Sequence, residues 1–183
     1  MEDFFFCASA DRCTDLIDGF ISMLKQRNLT CVGALLRLQM DNCMKSYAAF
    51  VAQDKNDVVQ CLIDGEKINK KKDNQGKVLS DAHLKNRIAK ELDPCFDQVY
   101  EQASGYIHLS SKAFYQMLDS VEDGHINFQV GLDLPIRRNP VLIEAADAFI
   151  HFVELQQKML LAVADSKRRT DAELEKEENK VHN

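Results

Sequence analysis

Apolar residues recur at intervals of three and four over most of the chain, which is the spacing of one buried face of an α-helix. Leu16, Ile17, Phe20, Met23 and Leu24 predict a first helix from about Asp11 to Gln26. Asn28 to Thr30 reads as a break carrying a cap. Val32, Leu36, Met40, Cys43, Tyr47, Phe50 and Val51 then form the stripe of a longer helix, about Thr30 to Ala52. Val58, Val59, Leu62 and Ile63 mark a short helix over Asn56 to Ile68. The segment NKKKDNQGK, Asn69 to Lys77, is polar and contains glycine, so it reads as a solvated loop.

Ser80 is a capping residue for a helix through Leu92, with Asp81 favouring its dipole. Pro94 suits the first turn of the next helix, which extends to about Leu109 and buries Phe96, Val99, Ala103 and Ile107. Ala113, Phe114, Met117 and Leu118 are spaced for a further helix from Lys112 to Ser120. The pattern then changes. Ile126, Phe128, Val130 and Leu132 alternate with polar residues or glycine, the period of a strand, so one short strand or β-hairpin is expected near 125–133. Asn139-Pro140 opens a last helix to about Ala172, with Leu142, Ala146, Phe149, Val153 and Leu160 inward. Residues 173–183 form a charged tail expected to fray. The sequence shows no internal repeat and no domain boundary. The predicted fold class is therefore all-α, an up-and-down helical bundle in a single domain over 1–172, with one β element.

Composition sharpens this picture. The 183 residues include only 7 Gly and 3 Pro, too few turn formers for an all-β fold, and 45% hydrophobic residues, enough for a core. The formal net charge of −6 argues against a protein that binds nucleic acid through its overall field. The six cysteines, at 7, 13, 31, 43, 61 and 95, contain no Cys-x-x-Cys pair and no zinc-finger spacing. The N-terminus MEDFFFCASADR lacks the basic flank of a signal peptide. Reduced thiols in a cytoplasmic protein are the expectation, with no membrane span.

The candidate chemistry is sparse. Glu144, Asp147, His151 and Glu154 share one face of the last helix, but opposite its apolar stripe, and no second helix supplies a matching Glu-x-x-His. That face reads as solvated, and no metal or cofactor is expected. Lys67, Lys70 to Lys72 and Lys77 could meet phosphate, but no aromatic residue interleaves them for base stacking, so nucleic acid is only weakly supported. No Walker loop, Gly-x-Gly-x-x-Gly or Gly-x-Ser-x-Gly motif occurs.

More informative is YEQASGYIHLSS. Tyr100, Ser104 and His108 fall at intervals of four on the flank of a helix. Arg37 and Asp41, one turn apart, flank the stripe of the long helix, beside the small residues Ala34, Ala48 and Ala52. If these helices pack flank to flank, Arg37, Asp41, Tyr100, Ser104 and His108 share one polar cleft. The plainer alternative is a hydrogen-bond network that fixes the packing. An Arg37 turned to solvent, away from His108, would argue for a purely structural helical protein.

Over Thr30 to Ser111 the order of features is Arg37 and Asp41, a basic loop, LSDAHLKNRI, then Tyr-x-x-x-Ser-x-x-x-His. This order resembles bacterial helical proteins with a Tyr…Ser…His-hydrophobic-Ser signature, similar in turn to the HEPN superfamily. That resemblance implies an up-and-down bundle, often a homodimer, in bacterial defence or toxin systems. It also implies metal-independent RNase activity in many members, through an arginine followed within four to six residues by a histidine. This chain departs from that motif. His83 precedes Arg87, and no arginine lies within six residues before His108, so Arg37 would have to act with His108 from another helix. The expected function is a HEPN-like interaction or ligand-binding module with a protein partner or a second copy. The alternative is a metal-independent RNase or phosphodiesterase in which His108 is the acid or base and Arg37 steadies the phosphate.

Overall fold

A computed structural model describes residues 2–107, 118–122, 125–128 and 139–181. Among the described residues the helices are α1 (Glu2–Lys25), α2 (Leu29–Val51), α3 (Lys55–Ile63), α4 (Asp81–Glu91), α5 (Phe96–Ile107) and α6 (Asn139–Val181), with a 3-10 turn at Ile68–Lys70. Strands β1 (Leu118–Glu122) and β2 (His125–Phe128) form an antiparallel pair with a bulge between Leu118 and Ser120. The fold is an all-α bundle with this minor hairpin.

The core is built around α2, which packs against α1, α3, α4, α5 and α6. Val32, Leu36, Met40, Cys43, Met44 and Tyr47 are buried along it, as its stripe requires. Phe20 of α1 stacks on Phe149 of α6, and Phe152 of α6 meets Phe96 of α5 edge to face. Asn28 caps α2 by accepting the Cys31 N–H at 3.1 Å, and Ser80 caps α4 by accepting the His83 N–H at 3.2 Å. A buried polar knot crosses three helices. The Ser9 hydroxyl lies 2.7 Å from that of Ser46, and the Gln156 amide donates to both at 2.7 Å. Asn42 donates to the Ser9 carbonyl at 2.9 Å. Such a knot fixes how α1, α2 and α6 slide against one another, because a shift would strand several buried polar groups.

Several boundaries differ from expectation. Helix α1 starts at Glu2, not near Asp11, because Phe6 and Cys13 continue its buried stripe and no glycine or proline interrupts it before Gly19. Helix α3 stops at Ile63, and Ile68 is buried from the 3-10 turn instead. Leu62 and Ile63 are exposed, and so is Phe50, against the expectation that it lies inward. Val51, not Phe50, turns inward at the end of α2, where its carbonyl accepts the Asn74 N–H at 2.8 Å. Ile107 is likewise exposed.

The expected helix over Lys112 to Ser120 is corrected at its end. Leu118 to Ser120 belong to β1, because the expected strand at 125 finds its partner upstream, where Val121 pairs with Ile126. Residues 112–117 and 129–133 lie outside the described residues. Helix α6 continues to Val181, past the expected end at Ala172, since DAELEKEENK is rich in strong helix formers and free of glycine and proline.

The loop after α3 is not simply solvated. Its lysines 67, 70, 72 and 77 face outward, but Asp73 is fully buried. One Asp73 oxygen accepts the N–H groups of Gln75 and Lys77 at 2.9 and 2.8 Å, folding the turn that Gly76 completes at φ +78°. The other meets His83 at 2.7 Å and Arg87 at 2.8 Å. Arg87 then pairs with Glu91 at 2.7 Å, and Glu91 accepts the Tyr47 hydroxyl. This chain of contacts staples the loop to α4 and α2.

Candidate functional site

Helices α2 and α5 pack flank to flank, and Gly33 sets how closely. A Cβ there would fall 2.4 Å from Cγ of Tyr106, so only a glycine admits this ring. One turn along, the contact brings together four of the five expected cleft residues. The Arg37 Nε donates to the Ser104 hydroxyl at 3.2 Å, and Nη2 donates to the Tyr100 hydroxyl. Nη1 forms an ion pair with Asp41. The guanidinium carbon lies 3.6 Å from the centre of the Tyr100 ring, a cation–π contact. Ser104 in turn donates to the Tyr100 carbonyl at 2.8 Å. Each of the three Arg37 nitrogens thus faces a partner, and the Arg37 side chain is only 12% exposed. His108 lies outside the described residues.

Lys85 of α4 braces the same spot from the other side. It bridges Asp97 at 2.8 Å and Glu101, and it sits 5.3 Å from the Tyr100 ring. Those two carboxylates, Asp97 first, push its pKa up. Arg37, Tyr100 and Lys85 therefore tie α2, α5 and α4 together.

An open cleft begins where this cluster ends. It lies between α1 and α2, with Leu62 of α3 and Asp81 of α4 also lining it, and holds about 430 Å³. Phe5, Ala8, Ser9 and Arg12 line one wall at helical spacing, and Arg37, Leu38, Asp41, Asn42 and Lys45 line the other. That volume falls within the range of small-molecule sites. Asn42 and Ser9 belong also to the buried polar knot, so the cleft floor is rigidly held. A stripe read only from Leu16 onward misses the α1 wall. A first helix that begins at about Asp11 leaves Phe5 and Ala8 without a face, and the stripe of Phe6 and Cys13 is the signal that extends it.

The carboxylate face of α6 is exposed at Glu144, Asp147 and Glu154. His151 turns from that face to Asp93, which it meets at 2.9 Å, while Asp93 also accepts the Cys95 N–H at 3.1 Å at the start of α5. Among the described residues, no group of three or more histidine, cysteine or acidic side chains is arranged to hold a metal ion. All six cysteines are free thiols, with Cys13, Cys43 and Cys61 buried and Cys7 and Cys95 exposed. Burial pushes the Cys43 thiol far above its ordinary pKa. Among the described residues, no helix is long and apolar enough to cross a membrane.

No family model, curated protein or solved structure matches this chain.

Proposed function

We propose that this protein is a helical ligand-binding module of HEPN-like type, and that its binding site is the cleft between α1 and α2. The observation that carries this reading is the contrast between two neighbouring places. Arg37 is consumed by Tyr100, Ser104 and Asp41, whereas the adjoining cleft is open, of ligand size and walled by both apolar and charged side chains. A phosphate-steadying role would ask Arg37 to give up these partners inside a partly buried contact, and an unpaired Tyr100 and Asp41 would be left behind.

The alternative, a metal-independent RNase using His108 and Arg37, is weakened by the same contacts and by the overall charge. The chain carries a formal charge of −6, so a polyanionic RNA strand gains no attraction from its overall field. Incubation of labelled single-stranded and structured RNA without metal, with wild type and His108→Ala, decides between the readings. The binding-module reading expects intact RNA in both. Cleavage by the wild type that His108→Ala abolishes, at an unchanged melting temperature, would establish the enzyme instead.

A further inference from the structure

The charges lining the α1–α2 cleft are matched in pairs except for one. Arg37 is tied to Asp41, and Lys45 reaches Asp81 across the cleft rim at 3.3 Å. Arg12, on the opposite wall, has no ion-pair partner among the described residues. The remaining lining is largely hydrocarbon, from Phe5, Ala8, Leu38 and Leu62. Leu38 and Leu62 each keep more than a third of their surface exposed, so the cleft carries an apolar wall without a covering.

From this balance we infer that the cleft takes a small organic monoanion, a carboxylate with an alkyl or aryl body. The carboxylate pairs with Arg12, whose planar guanidinium can donate two parallel hydrogen bonds to it. The body lies along Leu38, Leu62, Phe5 and Ala8. A single negative charge matches the single unmatched cation. A phosphate dianion or a polyphosphate would bring more negative charge than the one unmatched cation can meet, and an ammonium ligand would face Arg12 with nothing to gain from the paired acids. The inference rests on the reading of this cleft as the binding site and adds to it the chemical class of the ligand.

The test is isothermal titration calorimetry of the full chain with octanoate, octanol and octylamine, repeated with Arg12→Gln and with Arg168→Gln. Arg168 lies on α6 outside the cleft lining and serves as a charge control. Octanoate is expected to bind with one site and octylamine not to bind. Arg12→Gln should weaken octanoate about tenfold, the scale of one charge-assisted pair, while Arg168→Gln binds as the wild type does. Octanol or octylamine binding as tightly as octanoate, or octanoate binding undiminished in Arg12→Gln, would overturn the monoanion inference and leave the cleft a ligand site. Binding of none of the three would overturn both.

Discussion

At the scale of single residues, Arg37 and Asp73 each join parts of the chain that are distant in sequence. Arg37 acts as a tie between helices, so Arg37→Ala should destabilise the fold by about 2–3 kcal/mol, seen as a lower midpoint in urea. Tyr100→Phe keeps the ring and loses only the hydroxyl, so about 1 kcal/mol is expected. Asp73 is a buried carboxylate. Burial opposes its charge, but His83, the N–H groups of Lys77 and Gln75, and Arg87 together hold its pKa down at about 2. Its folded pKa lies below the unfolded value, so it adds stability that is fully present above about pH 4 and fades as pH falls toward about 2. Asp73→Asn should flatten that acid limb in a series of melts. A wild-type stability that does not change between about pH 5 and about pH 2.5 would contradict this role. The two sites are not equally legible in the sequence. Arg37 and Asp41 stand one helical turn apart, and Tyr100 and Ser104 do too, so two local spacings are enough to suggest the cluster. Asp73 sits in a polar loop, and its partners lie 10 and 14 residues away on α4. Only the Asp-x-x-Gly spacing hints at the turn it builds.

At the scale of elements, periodicity identifies the helices and misplaces several of their ends. A stripe reports which face is buried, but the last turn is decided by contacts that lie far away in sequence. Val51 is taken inward by Asn74 of the following loop, and Phe50, its neighbour, is left outside beside Lys55. The strand at 125 is legible as alternation, but its partner is hidden because Leu118 also suits a helical stripe. The expected alanines do not account for the pairing of α2 with α5: Ala52 bridges Asp73 of the loop, and the close approach is at Gly33 against Tyr106. Gly33→Ala would drive a methyl group into Tyr106 near its Cβ, where the ring cannot swing clear. It should cost about 1–3 kcal/mol and disturb the Arg37 cluster one turn away. A Gly33→Ala protein as stable as the wild type would mean that α5 sits less tightly on α2 than described.

At the scale of the whole molecule, one helix organises the rest. Because α2 touches α1, α3, α4, α5 and α6, the bundle should unfold as a unit, and Phe152→Ala should lower the stability of all of it by about 3–5 kcal/mol. Phe152 links α6 to Phe96 of α5, and its carbonyl accepts from Gln39 of α2, so circular dichroism and urea-gradient mobility should report one shifted transition. The same centrality explains where an open site can exist. Most of α2 is spent on packing, and the stretch from Leu38 to Lys45 that faces α1 is where charged and apolar side chains remain accessible together. On the proposed reading, a ligand binds there and not at the Arg37–Tyr100 contact. Amide-shift mapping by heteronuclear NMR during an octanoate titration tests it most directly. Shifts are expected to gather on Ala8, Arg12, Leu38, Asn42 and Leu62. Shifts centred on Tyr100 and Ser104 and absent from Ala8, Arg12 and Leu62 would contradict it.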